Sequence, residues 1–201
     1  PVMAGPCYVF RNLFIDTKPE TDAVAVKTGS GSSGKLYVVH NSFLRYRYGP
    51  ARYGGSGWAN QEYYNNLIWS RRYCYWGLEA GNVFDYNAIY TSEGPSTWPQ
   101  QAMVDCSSLY LSGQKFASLA AWQAASGMDL NSVGAVLGNP LVDPNTGALL
   151  PGSPLVDRAW PGWSEPFAGG APDIGALESG ETASTYTLAT SVQGLGSVSP
   201  S

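Results

Sequence analysis

One short pattern centred on an asparagine occurs four times in the first half of the chain. The copies are Tyr8-Val-Phe-Arg-Asn12-Leu-Phe-Ile15, Tyr37-Val-Val-His-Asn41-Ser-Phe-Leu44, Glu62-Tyr-Tyr-Asn-Asn66-Leu-Ile-Trp69 and Val83-Phe-Asp-Tyr-Asn87-Ala-Ile-Tyr90. Three residues before each asparagine stand Val9, Val38, Tyr63 and Phe84; two residues after it stand Phe14, Phe43, Ile68 and Ile89. Side chains on a strand alternate with period two, so one strand cannot point both sets inward. The phase must break, and asparagine tolerates the left-handed backbone of such a bend. Each copy is therefore expected to read strand, bend at the asparagine, strand.

A repeat that buries one face needs neighbours stacked on it to complete a core. The asparagines are spaced by 29, 25 and 21 residues. A constant centre with variable spacing predicts loops of different length leaving one stack. Asparagines in register can pair amide to amide along it and satisfy polar groups that are costly inside. The alternative, hairpin strands of a sandwich, needs turn pairs such as Asn-Gly at regular places, and the chain has none. On these four repeats the chain resembles the right-handed parallel β-helix proteins of the pectate-lyase-like superfamily. The resemblance covers residues 1–178 and implies an all-β fold: a right-handed parallel β-helix with an asparagine ladder, one short docked helix and irregular C-terminal coils.

Composition agrees with an exported all-β chain. Gly 24, Pro 14, Tyr 13 and Trp 7 with 13% charged residues suit short strands and frequent turns, not disorder or a helical bundle. No apolar run approaches the ~20 residues of a membrane span. Pro1 to Cys7 runs almost directly into a repeat with no visible leader, which predicts that the chain begins inside a longer stack. Residues 1–90 carry nine Lys and Arg against six acids, a net of +3, whereas residues 91–201 carry two against nine, a net of −7. Either the first half presents a basic face to an anionic polymer, or its charges simply solvate loops. Cys7, Cys74 and Cys106 allow at most one internal disulfide, lack metal spacing, and are expected to pack as small hydrophobes. The single His40 makes neither a zinc site nor a legible triad.

Between the repeats, Ala23 to Val26 is expected to form the next strand, and the Gly-Ser run Thr28 to Gly34 a flexible turn. The stretch 45–58 is read as a loop dense in arginine and aromatic residues, with Arg45, Arg47, Tyr48, Arg52, Tyr53 and Trp58. Rings stack on the CH faces of sugars and arginines fork onto carboxylates, so these six are the candidate substrate-binding residues. Their other reading is a loop folded back on the stack, arginines over rings. Arg71-Arg72-Tyr73 should lie beside them, ~5 Å per repeat away.

Further on, Gln114 to Ser126 is alanine-rich, with Phe116, Leu119, Ala120 and Trp122 on one side, and predicts a helix stopped by Gly127. The stretch Phe116 to Ser132, the phrases Asn139 to Pro144 and Leu149 to Asp157, and Asp173-Ile-Gly-Ala-Leu-Glu178 resemble the last coils of secreted bacterial β-helix proteins. Asp143 and Asn145 offer two oxygens for calcium but not a full acidic loop, so a turn is expected there and no cofactor. Residues 179–185 read as a linker. Residues 186–201 resemble the opening hairpin of an InlB B-repeat, a small domain of bacterial surface proteins.

The resemblance implies a secreted or cell-surface monomer that binds or processes a polysaccharide, an acidic one by the arginine-rich loop, and neither binds nucleic acid nor inserts into a membrane. A lyase would use cations and a base, with Lys27, Lys35 and Arg71 as candidates. A hydrolase would use paired carboxylates, with Asp16, Asp22 and Asp85 available. The other class is a non-catalytic adhesive stack that only displays loops.

Overall fold

The computed structural model describes residues 6–16, 24–29, 34–53, 60–78, 80–93, 103–106, 110–163 and 166–181; within 27–29 and 51–53 it describes the backbone alone. The strands come in threes. The first repeat holds β1 (Cys7–Phe10), β2 (Leu13–Ile15) and β3 (Lys27–Gly29). The second holds β4 (Leu36–Val39), β5 (Ser42–Leu44) and β6 (Ala51–Tyr53), and the third β7 (Gln61–Tyr64), β8 (Leu67–Ser70) and β9 (Tyr75–Leu78). The fourth holds β10 (Val83–Asp85), β11 (Ala88–Thr91) and β12 (Val104–Cys106). There follow β13 (Lys115–Phe116), α1 (Leu119–Ser126) and β14 (Val133–Val136).

Every third strand pairs, giving a first sheet β1-β4-β7-β10, a second β2-β5-β8-β11-β14 and a third β3-β6-β9-β12-β13. All these pairings are parallel except β12 with β13. The described residues are thus mostly strands in parallel sheets, with one α-helix.

The two rows expected inside are inside. Val38, Tyr63, Phe84, Phe43, Ile68 and Ile89 are at most 2% exposed, and Val9 and Phe14 of the first repeat are partly buried against the same core. Register stacks like on like: Phe14 on Phe43 at 5.2 Å and Tyr63 on Phe84 at 4.8 Å. Each buried ring or aliphatic side chain contributes roughly 1.5–3 kcal/mol.

The bend, however, is not at the asparagine. Arg11, His40, Asn65 and Tyr86, each one residue earlier, take φ of 50°, 52°, 59° and 54°, and the ladder asparagines stay out of that region. The hydrogen bonds give the reason. The backbone N–H and Nδ2 of Asn12 both donate to Asn41 Oδ1 (2.9 and 3.1 Å), those of Asn41 to Asn66 Oδ1 (3.0 Å each), and those of Asn66 to Asn87 Oδ1 (3.0 Å each). Both donors must point along the stack at once, so the turn is displaced to the preceding residue.

Three further expectations are corrected. After the first repeat the strand is Lys27–Gly29, which pairs with β6; Val24 makes only a bridge to Tyr48. The 45–53 part of the arginine-rich stretch is no free loop: Tyr48 bridges Val24 and Tyr73, and Ala51–Tyr53 is a strand of the third sheet. The helix starts at Leu119, not at 114. Ser118 is extended and its hydroxyl accepts Ala121 N–H (3.2 Å), while Lys115 and Phe116 pair antiparallel with Asp105 and Val104. Gly127 closes the helix in the left-handed conformation, as expected (φ 70°).

Residues 139–178 turn back over the second sheet. Leu44, Leu67, Ala88 and Tyr90 of that sheet pack with Val142, Leu155, Ala159 and Ile174. Aspartates hold the turns, as expected of such phrases. Asp173 Oδ1 accepts Asp157 N–H (2.7 Å), and Asp157 Oδ1 accepts Gly170 and Ala171 N–H (2.8 and 3.1 Å). Asp143 Oδ1 accepts Asn145 N–H (2.8 Å), which makes that pair a turn.

Candidate functional site

Alternation that sends one set of side chains into the core sends the other outward. On the first sheet the outward residues form two rows in register. One is Tyr8, Tyr37, Glu62 and Val83; the other is Phe10, Val39, Tyr64 and Asp85. Tyr8 and Tyr37 stack at 5.0 Å, 7° from parallel, and Tyr8 is 58% exposed. Lys35 lies 5.1 Å over the Tyr37 ring and pairs with Glu62, a hydrogen bond that raises its pKa.

Two tryptophans from far along the chain complete this face. Trp163 packs on Tyr37 at 5.1 Å, and Trp160 packs between Tyr64 (5.3 Å) and Tyr86 (6.5 Å). Asn65, at the bend, clips the segment: its Oδ1 accepts Trp160 N–H and its Nδ2 donates to Trp160 O, both at 2.8 Å. The 3-10 turn Pro161–Trp163 then returns the chain, and at Gly162 a Cβ would strike the Trp160 indole. Six aromatic rings thus line one side of the molecule, with Trp160 still 36% exposed.

The clip also fixes His40. Because Asn65 Oδ1 is taken by Trp160, its Nδ2 faces His40 Nε2 (2.9 Å), so that ring nitrogen is the acceptor. His40 is 2% exposed; burial, then the charge of Arg11, lowers its pKa to about 4. Arg11 in turn pairs with Glu178 at 3.0 Å, whose carboxyl is raised by burial.

Next to Tyr86 the face opens into a pocket of about 420 Å³ lined by Tyr86, Leu130, Asn131, Ser132, Asp157, Arg158 and Ala159. Asn131 is held by Asp85, whose Oδ1 accepts its N–H (2.8 Å) and whose Oδ2 accepts its Nδ2 (2.7 Å). This wall is an irregular fifth copy of the repeat. Val133 pairs in register with Ala88, which puts Ser132 in the place of the ladder asparagine and Asp129 in that of Phe84.

Asp129 closes the ladder. A chain of amides that all donate one way must end on an acceptor. Asn87 N–H donates to Ser132 Oγ (2.7 Å) and Asn87 Nδ2 to Asp129 Oδ1 (3.2 Å). Ser132 Oγ donates to Oδ1 (2.6 Å), and Trp122 Nε1 to Oδ2 (2.9 Å). Asp129 is fully buried, and burial raises its pKa despite these donors. This buried carboxyl is part of the architecture.

The residues expected to act are dispersed. Arg45 donates to Asn145 Oδ1 (3.0 Å), Arg47 lies 5.5 Å over Tyr48, and Tyr48 stacks on Tyr73 (5.7 Å) and Trp76 (4.7 Å). Arg71 lies beside them as expected, its N–H on Tyr46 O, and it pairs with Glu93 at 3.5 Å. Trp58 and Asp22 lie outside the described residues, as do residues 182–201, and the side chains of Lys27, Arg52 and Tyr53 are likewise not described. Lys35 and Asp85 share the outer face of the first sheet but stand four residues along and two strands across, roughly 16 Å apart at the Cα positions. Asp16 is buried, 8% exposed.

Trp160, Trp163, Tyr86 and Arg158 were not among the expected residues. The outward rows follow from the same alternation as the core, so Tyr8, Tyr37, Tyr64 and Asp85 carried a signal. The tryptophans carried none, because their partners lie about a hundred residues away. Cys74 and Cys106 are buried free thiols, each pushed up to about 12 by burial, and Cys7 is partly buried and free. Among the described residues no group of three or more His, Cys, Asp or Glu is placed to hold a metal ion, and no helix is long and apolar enough to cross a membrane. Comparison of the chain with known protein families, curated proteins and solved structures finds no match.

Proposed function

We propose that the protein is an exported polysaccharide-binding protein, built as part of a right-handed parallel β-helix, whose outer aromatic face lies along a glycan chain. The observation that carries this reading is the set of rings on one face: Tyr8, Tyr37 and Trp163 together, and Tyr64, Trp160 and Tyr86 together. Strand spacing is ~5 Å, so Tyr8 and Tyr37, on neighbouring strands, lie about one sugar unit apart. Aromatic rings meet the CH groups of sugars at little entropic cost here, because they are already held by their neighbours. The three-strand order of the sheets and the asparagine ladder support the β-helix part.

The reading favours binding over cleavage. On this face Lys35 is tied to Glu62 and both Asp85 oxygens to Asn131, and Arg71, between β8 and β9, is tied to Glu93, so these three catalytic candidates serve internal contacts. The acidic-glycan expectation rests on arginines of the 45–58 stretch, of which Arg45 and Arg47 make contacts to Asn145 and Tyr48. Binding to a panel of neutral and acidic polysaccharides, by affinity electrophoresis and calorimetry, tests the reading. Trp160→Ala should abolish retardation by the best member while the far-ultraviolet circular dichroism stays unchanged. Equal binding by wild type and Trp160→Ala, or no binding by wild type to any member, overturns it.

A further inference from the structure

We propose that the pocket beside Tyr86 is a subsite for one neutral sugar unit, its adjacent hydroxyls gripped between Arg158, Asn131 and Asp157; this rests on the glycan-binding reading above. Its volume of about 420 Å³ falls within the range of small-ligand sites, about 300–1,000 Å³. One side is apolar, formed by the ring of Tyr86, which Trp160 holds, and by Leu130, 64% exposed. The other side is polar, and two of its side chains, Asn131 and Asp157, are held by hydrogen bonds.

Among the described residues Arg158, which is exposed, makes no ion pair or hydrogen bond, whereas the other described Lys and Arg side chains outside 27–29 and 51–53 are engaged. Asp157 spends Oδ1 on the Gly170 and Ala171 N–H groups, leaving Oδ2 to accept. Asn131 uses its Nδ2 on Asp85, leaving its amide oxygen and a second N–H.

The donor and acceptor inventory selects the ligand. Arg158 offers only donors, Asp157 only an acceptor, and Asn131 both. A hydroxyl donates and accepts, so two neighbouring hydroxyls satisfy all three groups together. A carboxylate satisfies only the donors. It would also bring its charge toward Asp157 and Asp85, which outnumber Arg158. A neutral ring stacked on Tyr86 meets none of that repulsion.

The test uses the whole chain, with cellohexaose, xylohexaose and mannohexaose as neutral probes and hexagalacturonate as the acidic one. Calorimetry on wild type, Arg158→Ala and Trp160→Ala separates this inference from its parent reading. The expected result is a neutral hexasaccharide bound with little salt dependence, weakened about tenfold or more by Arg158→Ala and lost in Trp160→Ala. Loss in Trp160→Ala with wild-type affinity in Arg158→Ala overturns the subsite and leaves the aromatic face standing. Tighter, salt-sensitive binding of hexagalacturonate overturns the neutral class. No binding of any probe by wild type overturns both readings. Arg158 is exposed, so circular dichroism of Arg158→Ala should match wild type.

Discussion

Tyr63 and Tyr64 are neighbours in one strand with opposite surroundings. Tyr63 is 1% exposed, stacks on Phe84 of the next repeat and donates its hydroxyl to Gln61 at 2.8 Å. Tyr64 faces outward and packs at a tilt on Trp160, which arrives from ninety-six residues later. The inner face is built from like residues in register, each repeat completing the one before. The outer face is built from unlike residues of distant segments, joined by the Asn65 clip. The two faces share strands yet depend on different interactions, so they should fail separately: inner substitutions should cost stability, and outer ones should cost binding.

The largest expected break is at the inner end of the stack. Trp122→Ala removes a fully buried ring and its bond to Asp129, and should lower stability by about 3–5 kcal/mol. Urea denaturation followed by circular dichroism reads this directly; a loss below about 1 kcal/mol would mean that α1 is not docked by that ring.

His40 sits between the two faces and should make stability depend on pH. Its folded pKa, about 4, lies below the unfolded value of 6.5, so the unfolded chain binds the extra proton first. Its contribution is complete above pH 6.5 and is lost as pH falls toward 4, by up to about 3 kcal/mol. Asp129 and Glu178, raised by burial, act in the opposite sense as they protonate, so the clean measure is a comparison. The wild-type unfolding midpoint should fall relative to that of His40→Gln between pH 6.5 and 4. Parallel curves would contradict a buried neutral His40.

Asn41→Leu in the middle of the ladder should cost on the order of 1–3 kcal/mol, because the N–H and Nδ2 of Asn12 lose their acceptor and Asn66 Oδ1 loses a donor. An unchanged denaturation midpoint would show that the ladder bonds are replaceable by water. Trp160→Ala sits at the bottom of the stability scale, at about 1 kcal/mol, since the ring is partly exposed and its backbone clip survives. A large loss of stability there would erase the contrast between the faces.

The inner face was legible because a period of two, broken at a fixed place, forces the same rows inward in every repeat. Val38, Tyr63 and Phe84 could be read that way; the bend could be placed only to within one residue. Asn tolerates the left-handed region, but the ladder needs both of its N–H groups aligned, and so His40, Asn65 and Tyr86 take the strain. The fifth repeat escaped notice because Ser132 replaces the asparagine and α1 lengthens the spacing to 45 residues. The arginine-rich stretch shows where composition stops. Composition marks residues able to bind sugar, but Arg45, Arg47 and Tyr48 find partners within the fold, which composition does not show. Trp160 and Trp163 meet their tyrosines only through tertiary structure.

Hydroxyl-radical footprinting with and without a saturating amount of the best-bound glycan tests the separation of the two faces most directly. The account predicts protection at Tyr37, Tyr86, Trp160 and Trp163, with no change at the buried Trp122. Protection confined to Tyr53 and Trp58, with Trp160 and Trp163 unaltered, would contradict it.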